Sequence, residues 1–367
     1  MTHEPQGAGE RRAATVELLF DLTFVFAVTQ ITHLLEAVHE VGDIIGAIAV
    51  LTFLWWMYGG YVWLASHIAS ARRLTGVLLI AMIGYFYIAV GIPGLHLHQT
   101  AILGGGALLV VIVHFAAFVA FGGVGVRTLW FGGINAGAAL LLGLSGYLPA
   151  PLGLVAEALV IATLVGMAFF YSARRFTLTS SHFVERHGLL LIIVFGESVI
   201  SVGLQLGSDN LTVGLIEAGL ALLTVIALWF AYFAADDRRA EHRLDAMPVA
   251  ERGRAALLSY WFAFLMMIGG LLCLSVGFKE HFGASEEASH LGIWLALGVG
   301  LYFGGTALFR AGLGLSGIWR RLAIAIVGSA VLSVLHLPAA GMLVVTLVIA
   351  LSAITMDTRL FPRNSRE

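Results

Sequence analysis

The chain has 367 residues, 59% hydrophobic and 11% charged, with a mean hydropathy of +0.94. Soluble chains carry roughly a quarter charged residues, and a water-soluble globule of this length would keep an apolar exterior, so the solvent is lipid. The formal charge of −2 argues against nucleic acid as a partner, and the lone Cys273 excludes an internal disulfide and a thiolate metal cage.

At ~20 apolar residues per crossing, the chain has room for about twelve transmembrane helices and no sizeable soluble domain. The predicted spans run near 15–35, 43–66, 73–92, 100–121, 127–147, 151–172, 184–206, 211–235, 255–278, 289–309, 319–336 and 338–357. Short breaks with turn chemistry separate them, as at Gly91-Ile92-Pro93-Gly94, Pro149-Ala150-Pro151 and Leu337-Pro338. In lipid the backbone must satisfy its own hydrogen bonds, so apolar runs of this length predict an all-α polytopic membrane protein. The first run follows Arg11 and Arg12, is too long for a signal-peptide core and reads as a retained first span.

Basic residues set the orientation. With both termini in the cytoplasm and twelve crossings, all nineteen arginines fall on the inner side, from Arg11 to Arg366, and Lys279 alone falls outside. The outer loops then carry Glu36, Glu40, Asp43, Asp209, Glu280, Glu286 and Glu287. This sorting predicts a multi-pass membrane protein with both termini in the cytoplasm.

The stretch Ser172–Glu185 divides the chain into a first half, residues 1–172 with spans one to six, and a second, residues 173–367 with spans seven to twelve. Trp55-x-x-Tyr58 in span two and Trp229-x-x-Tyr232 in span eight share a pattern, and each of those spans ends in an arginine pair. A 6+6 parallel pseudo-repeat is one reading of these matches, and chance is the other.

Ionisable groups at bilayer depth are costly, at about 2.5–3.5 kcal/mol each on insertion scales. Glu17 and Asp21 lie one turn apart on one face of span one. They require a bridging cation, an arginine or a retained proton, and are either an ion site or an anchor capped by Arg12 or another inner arginine. Glu197 lies too deep in span seven to snorkel, and Ser198, Ser201 and Gln205 extend a polar stripe beyond it. The stripe reads as a wetted ion or solute path, against a plain interhelical hydrogen bond. Gln30 and His33 extend the polar side of span one. His182, Glu185 and Arg186 stand at the cytoplasmic mouth of span seven as gate candidates, from which Arg186 can reach Glu17 or Asp21. Trp55, Trp56, Tyr58, Trp229 and Tyr232 form either an interfacial belt or an aromatic pocket.

Forty-four glycines point mainly to close helix packing. Gly133-x-x-x-Gly137 and Gly300-x-x-x-Gly304 are candidate contacts, and Gly104-Gly105-Gly106 is either a contact or a helix break.

Three segments carry a resemblance. Glu17-Leu18-Leu19-Phe20-Asp21-Leu22-Thr23-Phe24-Val25-Phe26, then Trp55-Trp56-Met57-Tyr58, then His182-Phe183-Val184-Glu185-Arg186-His187-Gly188-Leu189 running on to Gly196-Glu197-Ser198 occur in the order and spacing of one family. The chain resembles the bacterial low-temperature-requirement A (LtrA) family over nearly its whole length. It departs from that pattern where a histidine follows a Ser-Tyr pair near the ninth span, since Ser259-Tyr260 is followed here by Trp261-Phe262. The resemblance implies a bacterial integral membrane protein tied by name to growth in the cold, with no settled activity.

No nucleotide-binding, zinc-peptidase, EF-hand or covalent-haem motif is present, so neither a cofactor nor a metal is expected, and no catalytic residue is assigned. The expected partners are the lipid bilayer and a small solute or ion, with an oligomer left open. The expectation is a secondary transporter or ion-conducting protein using its buried carboxylates. The alternatives are an intramembrane enzyme acting on a lipid-soluble substrate and a structural or sensory membrane protein.

Overall fold

A computed structural model describes residues 15–38, 40–68, 70–97, 99–122, 126–170, 180–204, 211–283 and 290–359. The helices in chain order are α1 (Thr15–Glu36), α2 (Val41–His67), α3 (Ala71–Gly91), α4 (Ala101–Gly122), α5 (Val126–Ser145), α6 (Ala150–Phe170) and α7 (Ser180–Leu204). They continue with α8 (Leu211–Phe233), α9 (Asp236–Ala246), α10 (Val249–Ala256), α11 (Ala263–Gly283), α12 (Leu291–Leu313), α13 (Ile318–Val334) and α14 (Ala339–Arg359). No strand occurs among the described residues. Nine helices are long and apolar enough to cross a membrane among those residues. The protein is a multi-pass membrane protein.

The outside is greasy, as lipid requires. Leu22, Ile83, Ile112, Trp130, Phe169, Ile216 and Val348 are all exposed. In water such a surface would drive aggregation. Inside, aromatic and aliphatic residues of α1, α2, α7, α11 and α12 form one continuous core that includes Phe24, Trp55, Tyr58, Phe264 and Tyr302.

Side-chain contacts fix the relative directions at the centre. Asp21 meets Arg186 and Thr29 meets Glu197, so contacts advance together along α1 and α7 and these helices run parallel. Ser198 meets Ser275 and His187 meets Phe264, so α11 runs parallel to α7. Phe24 meets Trp55 while Asp21 meets Tyr58, so α2 runs antiparallel to α1.

The ninth predicted span differs from its expected form. Its helical stretch begins at Val249 rather than near residue 255, and Leu257–Phe262 is a π-helical turn linking α10 to α11. A π turn widens the helix by one residue and is held in place by neighbours that use its displaced groups. Here Trp55 Nε1 donates to the Trp261 carbonyl at 2.9 Å, and Ser259 Oγ donates to the Phe309 carbonyl at 3.1 Å.

The glycines divide into two kinds. Gly104-Gly105-Gly106 lies inside the continuous α4 and does not break it. A methyl on Gly104 would sit 2.3 Å from the Gly143 Cα, and one on Gly106 2.6 Å from the Ile88 nitrogen. The Gly133/Gly137 pair makes no such contact, because a methyl at either meets nothing within 4 Å. We therefore expect Gly104→Val to abolish the folded, monodisperse protein or lower its stability by more than about 2 kcal/mol through overpacking. Gly133→Ala should be neutral or slightly stabilising, because alanine favours helix over glycine by about 1 kcal/mol. Thermal unfolding in detergent distinguishes the two.

Candidate functional site

Two clusters of buried charge lie on the parallel pair α1 and α7. In the first, Asp21 is fully buried and Arg186 nearly so. The guanidinium grips the carboxylate in fork geometry, Nη2 to Oδ1 at 2.8 Å and Nη1 to Oδ2 at 3.1 Å. Two parallel charge-assisted bonds are the strongest arrangement available to such a pair. Tyr58 from α2 donates its hydroxyl to Asp21 Oδ1 at 3.1 Å. Glu17, also buried, has Oε2 3.8 Å from Arg186 Nη1. The expected reach of Arg186 across the bundle is therefore present, with Asp21 the nearer partner. One arginine serves two carboxylates.

In the second cluster Glu197 is 2% exposed. Thr29 of α1 donates to its Oε2 at 2.6 Å, Ser201 donates to Oε1 at 3.4 Å, and Lys279 Nζ stands 3.6 Å from Oε1. Lys279 also lies 3.2 Å from Glu36 Oε1, and His33 Nδ1 is 2.9 Å from Glu36 Oε2. The chain of contacts runs His33, Glu36, Lys279, Glu197, from an exposed histidine to a buried acid. Again one fixed cation serves two carboxylates.

Lys279 corrects the loop placement inferred from charge. It lies within α11 and is 6% exposed, its ammonium turned inward to the two acids. Glu280 likewise belongs to α11 and accepts the Trp294 indole N–H at 2.9 Å. Arg310 and Arg321, counted with the inner loops, are also buried.

An aromatic layer stands between the clusters. Trp55 packs against Phe24 at 6.1 Å, Tyr58 at 5.5 Å, His187 at 5.8 Å and Phe264 at 6.2 Å between ring centroids. From Asp21 to Thr29 is eight residues, roughly 12 Å along the helix, and from Arg186 to Glu197 eleven, roughly 16 Å. The clusters therefore occupy different depths with the ring stack between them.

The other expected residues scatter. Ser198 bonds Ser275 at 2.9 Å and so braces α7 against α11 rather than meeting Glu197. Gln30 is half-buried and Glu185 is exposed. The side chain of His182, together with Arg12 and Gln205, lies outside the described residues. Trp55 and Trp56 line a cavity of about 380 Å³, while Tyr58, Trp229 and Tyr232 are not among its walls. Trp229 is instead 36% exposed, stacked on Phe233 at 5.4 Å, so the two W-x-x-Y stretches place their tryptophans in unlike surroundings. Glu197, Ser198 and Ser201 of the polar stripe do not border that cavity, and Glu197 meets Thr29, Ser201 and Lys279 directly.

A third cluster escaped sequence reasoning. Arg310 binds Asp236 at 2.7 Å and Asp357 at 2.6 Å. Arg321 binds Asp357 at 2.7 Å and the Ala231 carbonyl at 2.7 Å. Two arginines meet two aspartates here, and the Arg239 and Arg320 guanidinium groups add positive charge at 3.5 Å and 3.8 Å. With both aspartates paired to arginine, the cluster suits a lock between α8–α9, α12, α13 and α14.

Removing Arg186 would leave the buried Asp21 carboxylate without the cation that grips it, which costs about 3–5 kcal/mol. Arg186→Met should lose that much stability, whereas Asp21→Asn combined with Arg186→Met should recover part of it. A double-mutant cycle on detergent unfolding should give a coupling energy above about 1 kcal/mol. A coupling near zero would show that the fork contributes nothing.

Comparison with known proteins agrees with the sequence motifs. The family model described as "Bacterial low temperature requirement A protein (LtrA)" matches residues 12–355. The chain is similar to an uncharacterized protein of Rhizobium meliloti (strain 1021), RA0937, at 24% identity over 294 residues, covering 74% of this chain and 70% of that protein. No solved structure matches.

Proposed function

Since the chain belongs to the bacterial low temperature requirement A family, we propose that it is a secondary transporter or ion-conducting protein of the inner membrane that moves protons between the carboxylates of α1 and α7. The observation that carries this reading is the shared cation. Glu17 and Asp21 share Arg186, and Glu36 and Glu197 share Lys279. Among the described residues, each pair of acids shares one such cation, an arrangement suited to passing a proton from one carboxylate to the other. The third cluster pairs each aspartate with an arginine and holds its helices instead.

The direction of the relay follows from depth. His33 and Glu36 meet solvent at one face, and Lys279 links them to Glu197. Past the Trp55 layer, Asp21 and Glu17 lie toward the start of α1. With the rings packed, no proton crosses. A shift of α1 or α11 that parts them would connect the two acids, and reclosing would isolate the relay from one side. Lys279 is suited to gating because its flexible stem lets the ammonium change partners between Glu36 and Glu197.

The membrane arrangement supporting this reading has twelve crossings. The nine strongly apolar helices are joined by α5 with 20 residues, α7 with 25 and α13 with 17. Arg186 and Glu197 of α7 are paired inside the bundle, so its lower mean hydropathy does not keep it out of lipid. Both termini then face the cytoplasm, where the arginines gather.

Reconstituted into liposomes holding a pH-sensitive dye, the protein should admit protons when a potassium–valinomycin gradient makes the lumen negative. Glu197→Gln should cut that rate at least tenfold while keeping expression and monodispersity. Wild-type liposomes no leakier than empty ones, or a variant with unchanged flux, would contradict the reading and favour a static structural role for Glu197.

A further inference from the structure

The cavity beside the Trp55 layer belongs to neither carboxylate cluster. It has a volume of about 380 Å³ and is walled by α2, α4, α5, the start of α7 and the π-helical turn. Sites that enclose small-molecule ligands commonly run from about 300 to 1,000 Å³, are mostly apolar and carry a few placed polar groups. Rings dominate these walls, including Trp55, Trp56, Trp63, Phe118, Phe131 and Trp261.

The chemistry of the walls selects the occupant. Among the described residues no Asp, Glu, Lys or Arg lines the cavity. A charged guest would lose its hydration and find no counter-ion, so the guest is neutral. Polar groups are few, and they include His114, His187, Asn135 and the indole N–H of Trp261. Trp56 Nε1 donates to Asn135 Oδ1 at 2.9 Å, which orients the amide and leaves its NH₂ to donate at the wall. The Trp261 indole N–H is buried and has no hydrogen-bond partner among the described residues. Unused buried donors are rare and each costs desolvation energy, which a guest with an accepting oxygen would recover.

The space is maintained by the backbone. A methyl built on Gly59 meets nothing within 4 Å, although Gly59 lines the cavity. Trp56 and Phe131 stack face to face at 6.4 Å on one side. The π turn that presents Tyr260 and Trp261 is pinned from the other side by the bond from Trp55 to the Trp261 carbonyl. π-Helical turns inside otherwise regular helices are frequent at functional sites.

We propose that this cavity binds one neutral, lipid-soluble molecule with a fused or conjugated ring and a hydrogen-bond-accepting oxygen. Its walls share no carboxylate with either cluster, so binding itself requires no proton gradient. Since Trp55 belongs to both the cavity wall and the ring stack, an occupant would brace the layer between the clusters.

The test is direct binding to the full-length protein in lipid nanodiscs, with no gradient. Prodan, a neutral naphthalene ketone, serves as probe, read by energy transfer from tryptophan and corrected with empty discs. Saturable binding is expected, displaced by 2-acetylnaphthalene but not by equal concentrations of the 1-naphthyltrimethylammonium cation. Gly59→Leu, which fills the space, should weaken binding at least tenfold. Trp261→Phe, which keeps a ring but removes the donor, should weaken it about two- to tenfold, the range of one hydrogen bond. Trp229→Phe, on the lipid side, should leave affinity unchanged and reports that folding is intact. Failure to saturate, wild-type affinity in Gly59→Leu, or equal displacement by the cation would each overturn the proposal. If Gly59→Leu does not fold, unchanged affinity in Trp261→Phe does so.

Discussion

A carboxylate taken out of water and away from a partner costs more than a helix can offset from its own propensity, and this constraint organises the centre of the molecule. Asp21 is tolerable inside the bilayer because Arg186 meets it in fork geometry, and Glu197 because Thr29, Ser201 and Lys279 surround it. Neither helix could be inserted alone with these groups uncompensated. The pairing therefore does more than join α1 to α7. It sets their parallel direction and register, since a slip by one turn would separate both clusters at once.

Lipid removes the usual hydrophobic preference for helix association, so contact must come from polar bonds and close packing. The protein uses the two in different places. Glycine contacts such as Gly104 against Gly143 and Gly270 against the Tyr302 backbone bring helices close where no charge is present. Ion pairs hold the centre and the Asp236–Arg310–Asp357–Arg321 corner. Charge balance then separates their roles. The corner has at least one arginine per aspartate and nothing to exchange, whereas among the described residues each α1–α7 cluster sets two acids beside one shared cation.

Much of this was legible in the chain itself. The spacing of Glu17 and Asp21 put both on one face, and the position of Arg186 at the start of α7 made a cross-bundle pair accessible. Glu197 stood out because its distance from the helix start exceeds the reach of its side chain. Lys279 was misplaced because a lysine between a long apolar run and acidic residues looks like a loop residue. Its position one turn before the end of α11 becomes visible only when Glu36 and Glu197 are seen beside it. The third cluster joins residues 74 and 47 positions apart, a relation that local periodicity does not encode. The π turn has an ordinary apolar sequence, Leu257-Leu258-Ser259-Tyr260-Trp261-Phe262, and the cavity is assembled from several helices. Trp55 and Trp229, matched by pattern, diverge because one faces the ring stack and the other the lipid.

The central claim is that Glu197 exchanges a proton rather than remaining in one fixed state. Infrared difference spectroscopy on the reconstituted protein across a pH titration addresses it most directly, with the carboxyl carbonyl band assigned by its loss in Glu197→Gln. The account predicts that this band rises and falls with pH and shifts on transfer to deuterated water. A Glu197 signal that stays constant at every pH at which the protein remains folded would contradict it.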